Sequence, residues 1–227
     1  MKITWLGQAG LLFEKNGVQI MIDPYLSDSV ARVNPKNARC VPVEEALFDL
    51  SPDIMIFTHD HIDHYDPETA PRFLHKQDKC MTVLGPASVW QKARQEGGGH
   101  NYVQFNRHTE WTEKGFCLAA VKAEHSDAQA IGVIIHDLEA DKRYYVTGDT
   151  LYNKAVLADL RQGIDVIFLP VNGVGNNMNM LDAARFAKEC GAKVAVPLHF
   201  GLFDSLDPRD FPFENKVIPT IYREIPV

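Results

Sequence analysis

Cysteine is scarce in this chain, with four among 227 residues and no CxxC pair. Cys40, Cys80, Cys117 and Cys190 are too dispersed to read as a disulfide framework or a thiolate metal site. Long apolar runs are missing too. No stretch approaches the ~20 residues of a membrane helix, and the opening MKITWLGQAG lacks the basic and long apolar regions of a signal peptide. Positive charge is in deficit, with 23 Lys and Arg against 30 Asp and Glu and a formal charge of −7. Without a basic cluster, a broad nucleic-acid or membrane surface is not expected. An anionic substrate stays open, because a bound cation reverses the field locally. These absences point to a reduced, cytoplasmic protein acting on a small molecule, with a homo-oligomer left open.

What is present reads as an α/β chain. Apolar and charged fractions of 45% and 23% suit a globular protein with a sizeable core. Ile3 to Leu6, Gly10 to Glu14 and Val18 to Ile22 read as strands, the last two joined by an Asn16-Gly17 hairpin signal. Pro42 to Leu47 suits a short helix, and Asp53 to Thr58 a buried strand. Asp66 suits a helix cap with Pro67 following. Met81 to Leu84 is the next strand, Ser88 to Gln95 a helix, and Gly97 to Gly99 a turn.

The second half repeats that style. Phe116 to Ala123 reads as a strand, and Ile131 to Ile135 with Arg143 to Thr147 as a hairpin. Leu151 to Leu160 suits a helix, Asp165 to Leu169 a strand, Leu181 to Cys190 a helix closed by Gly191, and Val194 to Leu198 a strand. No proline-rich or low-complexity linker divides the halves, so residues 1–227 read as one domain with helices outside two strand-rich halves.

Histidine placement carries the chemistry. Residues 58–67, THDHIDHYDP, hold three of the chain's nine histidines. Burying several imidazoles beside carboxylates costs several kcal/mol unless something compensates, and a metal does so. His59, His125, Asp149 and His199 each follow an apolar strand, a common way to build a site on a rigid scaffold. His75, His100, His108 and His136 read as structural.

In an extended segment His59, His61 and Asp63 would share a face while His64 would need a turn. Adding His125, Asp149 and His199 to these four gives seven N/O ligands. That is too many for one tetrahedral ion and suits two divalent cations sharing a bridge. Imidazole and carboxylate without thiolate favour Zn, with Mn as the alternative, over calcium.

The ordered motifs IDP, THDHIDHYDP, AEHS, TGDT and PLHFG resemble those of the metallo-β-lactamase superfamily across nearly the whole chain. The resemblance implies a four-layer αββα sandwich with a dinuclear site at the edge between the sheets. It implies His59, His61 and His125 at one metal, Asp63, His64 and His199 at the other, and Asp149 between them. Asp23 is expected behind the ligands, orienting the metal loop. WLGQAGLLFE, THDHIDHYDPET and PLHFGLF are most similar to the L-ascorbate-6-phosphate lactonase branch and its small metal-dependent hydrolase relatives. Gln8 stands where many of the small relatives carry histidine.

The expected chemistry is hydrolysis of a small ester or lactone, such as a sugar-phosphate lactone. Two cations bring the pKa of a shared water from ~15.7 towards ~7, with Asp63 and Asp149 as catalytic carboxylates. A phosphodiesterase or nuclease, and a non-catalytic metal-dependent binding or regulatory protein, are the alternatives. Asn172 and Asn176 in a Gly/Asn loop at 172–178, with Phe200, Phe203 and Asp204 after His199, are the candidate substrate contacts. Gln8 and Tyr65 are further candidates.

Overall fold

Alternation at period two organises the opening strands, β1 (Lys2–Gly7), β2 (Gly10–Lys15) and β3 (Val18–Ile22). Ile3, Trp5, Leu11, Phe13, Ile20 and Ile22 face one apolar layer, while Leu6, Leu12 and Met21 face another. The structure, a computed structural model, describes residues 1–160 and 163–227. After this antiparallel meander the sheet continues in parallel with β4 (Ile54–Ile56), β5 (Thr82–Gly85) and β6 (Asn101–Gln104). The parallel crossovers are the helices α2 (Thr69–Leu74) and α3 (Ala87–Glu96), which follow a short α1 (Ser29–Val33). Phe73, Leu74, Val89 and Ala93 of these crossovers pack on the outward residues Met55, Phe57 and Val83.

A second six-stranded sheet runs β12-β11-β10-β9-β8-β7. It comprises β7 (Glu110–Glu113), β8 (Phe116–Lys122), β9 (Ile131–Asp137), β10 (Lys142–Val146), β11 (Val166–Pro170) and β12 (Val194–Leu198). β7 to β10 are antiparallel, and β10 to β12 parallel. Its crossovers are α4 (Lys154–Asp159) and α5 (Met180–Glu189). The near-continuous apolar runs of β11 and β12 follow from burial on both faces. The inward sides of the two sheets share one apolar layer, where Phe13 meets Phe168 edge to face at 5.7 Å. This is the expected four-layer αββα sandwich. The C-terminal segment closes the exposed edge of β1, with Tyr222 and Ile225 amides donating to Trp5 and Ile3 carbonyls at 2.7 Å.

Several sequence expectations shift. The helix expected at Pro42 to Leu47 is a 3₁₀ turn at Glu45–Asp49. The helix after THDHIDHYDP begins at Thr69, with Asp66 bracing its approach by accepting the Glu68 amide at 3.1 Å. α4 starts three residues later than expected, because the Leu151 amide is tied to the Glu124 carbonyl and Asn153 caps the first turn. β6 and β7 were not expected from the sequence, being short and half-exposed. Among the described residues no helix is long and apolar enough to cross a membrane.

Candidate metal centre

Four strands deliver the cluster. β4 of the first sheet leads into residues 58–64, while β8, β10 and β12 of the second lead to His125, Asp149 and His199. The ligand atoms gather into three triads, each within 4.8 Å: His59, His61 and His125; Asp63, His64 and His199; and His59, His64 and Asp149. The third triad joins the other two. Residues 58–64 are not extended, however. His64 and Tyr65 amides both donate to the His61 carbonyl, at 3.0 and 2.8 Å, so a turn divides the ligands rather than strand alternation.

Supporting residues fix the rings. Asp23 Oδ1 accepts the Thr58 amide at 2.8 Å and its Oδ2 accepts the Thr58 hydroxyl at 2.5 Å. The same Oδ2 lies 2.8 Å from His64 Nδ1. Holding the proton at Nδ1 leaves His64 Nε2 aimed at Asp149 Oδ1, 3.3 Å away, and at His199 Nε2, 3.2 Å away. Asp23 thus stands behind His64 and the start of the ligand loop. The Thr58 hydroxyl also lies 3.0 Å from His59 Nδ1, directing His59 Nε2 into the cluster. Asn177, not singled out in the sequence, donates to Asp149 Oδ2 at 2.9 Å, and only the folded loop reveals it.

Gln8, Asp23 and His199 all adopt left-handed backbone, with φ of 50°, 42° and 62°. Such strain costs of order 1–3 kcal/mol per residue and concentrates at functional sites. Gly148, before Asp149, has φ 59°, and a Cβ there would stand 2.8 Å from the Ile131 carbonyl. With Thr58 Cβ of the ligand loop only 3.0 Å from the same point, glycine lets the chain before Asp149 pass between β9 and that loop.

The donor set fits cations. His59 Nε2 is buried without a hydrogen-bond partner, Asp149 Oδ1 faces only the ring nitrogens His199 Nε2 at 2.9 Å and His64 Nε2 at 3.3 Å, and His61 Nδ1 faces His125 Nε2 at 3.1 Å. Burial, reinforced by His64, pushes His59 well below the ordinary imidazole range, keeping it neutral as a ligand must be. Burial lowers His125 likewise. Burial would also depress His64, but the carboxylates of Asp149, Asp23 and Asp63 outweigh it and hold that ring well above its usual value. Burial would raise Asp149, yet His199 and His64 drag it well below the usual carboxylate range.

Above the cluster opens a cleft of about 370 Å³. Gln8, Asn172, Asn176 and Phe203 line it, as expected from the sequence, and so does Ser126 of the AEHS motif, which was not singled out. The 172–178 loop uses positive φ at Gly173, Gly175 and Asn176 and also walls the cleft. Three expected contacts do not line it. Phe200 is buried against the Trp5 ring at 4.8 Å, and Asp204 accepts the Gly201 and Leu206 amides at 3.0 Å within its own turn. Tyr65 packs edge-on against Phe57 on the other side of the metal loop. The remaining histidines bond elsewhere: His75 to Glu96, His100 to Leu74, His108 to Asp159 and His136 to Asp141.

A two-sheet sandwich with an interlinked His/Asp cluster at one end of its strands defines a metal-binding class of protein. The chain belongs to the β-lactamase superfamily domain family, whose model matches residues 19–200. It is 28% identical over 228 residues to a UPF0173 metal-dependent hydrolase of Staphylococcus carnosus, spanning 93% of this chain and 91% of that one. Two solved structures share the fold. One is Igni18, a metallo hydrolase of Ignicoccus hospitalis, with TM-score 0.72 and 21% identity over 98% and 96% of the two chains. The other is an isothiocyanate hydrolase from Delia radicum gut bacteria, with TM-score 0.76 and 20% identity over 100% and 99%.

Proposed function

We propose that this protein is a dinuclear metal-dependent hydrolase of small carboxylic esters or lactones. The observation that carries the reading is the interlinked triads: His59 and His64 each belong to two, and Asp149 joins both groups. Zinc suits this nitrogen-rich, thiolate-free donor set, with manganese as the alternative. The metal-dependent hydrolase among the relatives supports the same reaction class.

When bound, a pair of divalent cations supplies an acidified water for attack at neutral pH and an electrophilic contact for the scissile carbonyl. The protein's residues do the rest. His59, His61 and His125 would hold one cation and Asp63, His64 and His199 the other, with Asp149 grouped with His59 and His64 from the two sets. Asp63 is part-exposed at the cleft floor, and Gln8 Nε2 donates to its Oδ2 at 3.0 Å, leaving Oδ1 to take the proton released on attack. Asn172 and Asn176 line the cleft beside the cluster, the Asn172 amide nitrogen 3.4 Å from His199 Nδ1 and the Asn176 carbonyl 3.4 Å from His125 Nδ1, and with Phe203 they would face a bound substrate.

The test is a panel of lactones, simple esters, thioesters and bis-p-nitrophenyl phosphate offered to metal-loaded protein. Turnover of esters or lactones, lost in His61→Ala while circular dichroism stays native, is expected. Cleavage of the phosphodiester alone would replace this reading with a phosphodiesterase.

A further inference from the structure

We infer that the cleft discriminates against anions and selects a small ester or lactone with no phosphate or carboxylate remote from the scissile bond. This rests on the ester-hydrolase reading and narrows it by charge. Among the described residues, none that lines the cleft is Lys or Arg. Its acidic lining consists of Asp63 and Asp149, both engaged in the metal cluster. Away from the cluster the wall is amide and apolar, with Asn37, Asn172 and Asn176 beside Val30, Val174 and Phe203.

Anion recognition ordinarily draws on a guanidinium, an ammonium or a free helix amino end. The cationic side chains of the flanking segments are either paired elsewhere or outside the cleft lining. The Arg39 guanidinium donates to the Tyr25 and Val41 carbonyls and the Tyr222 hydroxyl, at 2.7, 3.0 and 2.5 Å. Arg32 pairs with Glu68 at 2.9 Å and Lys92 with Asp60 at 2.8 Å. Lys36 is exposed and does not line the cleft. The amino end of α5 adjoins the 172–178 loop, but Asn179 Oδ1 already accepts the Leu181 and Asp182 amides, and the Asp182 carboxylate stands in the first turn. A remote anion entering the cleft would shed water and meet no protein counter-charge on the wall, the only positive charge being that of the cations, where the scissile carbonyl would bind. A hydroxyl, carbonyl or short alkyl chain finds partners there. At about 370 Å³ the cleft lies at the small end of ligand pockets. A sugar-phosphate lactone therefore fits the metal cluster at its ester and nothing here at its phosphate.

Two p-nitrophenyl esters with the same four-carbon acyl chain test this on metal-loaded protein, the butyrate and the anionic hemisuccinate, each rate taken above its uncatalysed release of p-nitrophenolate. The butyrate is expected to exceed the hemisuccinate in kcat/KM by tenfold or more. Parity, or preference for the hemisuccinate, overturns the inference. In Val174→Lys, which sets an ammonium on the cleft wall, the hemisuccinate-to-butyrate ratio should rise at least threefold. An unchanged ratio overturns the inference that the missing positive charge on the cleft wall sets the preference. Should no ester be cleaved, the ester reading fails separately, and calorimetric titration with uncleaved amides decides the charge question. Butyramide binding more tightly than succinamate sustains the inference, and equal or reversed affinity overturns it.

Discussion

Asp23 Oδ2 lies 2.8 Å from His64 Nδ1, and both side chains are fully buried. The carboxylate also accepts two hydrogen bonds from Thr58, so one residue fixes both the ring tautomer and the start of the ligand loop. Asp23→Asn is the informative change, because asparagine tolerates the φ of 42° but cannot accept at both oxygens. Metal affinity at the His64 group should fall about 10–100-fold, and stability by about 2 kcal/mol. Chelator competition and thermal melts read the two effects. Unchanged metal affinity would show that the ring needs no such support.

Gln8 makes a parallel contact on the opposite side. Its Nε2 stands 3.0 Å from Asp63 Oδ2 and 3.0 Å from His199 Nδ1, bracing two members of one triad. Gln8→Ala keeps a Cβ at the same left-handed position, so backbone strain does not change. Retention of the metal held by Asp63, His64 and His199 should weaken roughly tenfold, while the His59, His61 and His125 group is unaffected. Stepwise chelation followed by metal analysis separates the two. Equal weakening of both would mean that Gln8 acts on overall packing instead.

Lys15 of β2 and Asp137 of β9 join the two sheets by a bidentate contact at 2.8 and 2.7 Å. Burial would raise the Asp137 carboxyl, but Lys15 and the Ala140 and Glu139 amides outweigh that and hold it below the usual range. A lowered folded pKa contributes stability above the unfolded value of about 3.9. That stability is lost as pH falls below it towards the folded pKa. Asp137→Ala should therefore cost about 1–2 kcal/mol at neutral pH, because Lys15 keeps Glu139 as a partner at 2.8 Å, or roughly 2–8 °C in Tm. The gap between the two proteins should narrow below about pH 4. Melts across that range check it, and a gap constant down to about pH 3 would contradict the assignment.

Much of this was legible in the chain because the strands alternate and the ligands stand at their ends. Ile54 and Ile56 face inward while Met55 faces out, so β4 reads plainly. β6 and β7 do not, because short polar edges bury too little to leave a pattern. The seven cluster residues were named from their motifs, and a turn was expected for His64, but that turn already begins at His61, within the stretch read as extended. Phe200 and Asp204 were misplaced for a related reason. Left-handed backbone at His199 and Gly201, with φ of 62° and 68°, breaks the alternation just where the cleft begins. Asn177 touches Asp149 across 28 residues of sequence, a contact no local pattern encodes.

Elemental analysis of the purified, metal-loaded protein tests the central claim most directly. Two equivalents of divalent metal per chain are expected, falling to one or fewer in Asp149→Ala as the joining carboxylate is removed. A single tightly held equivalent, the same in both proteins, would contradict the dinuclear centre.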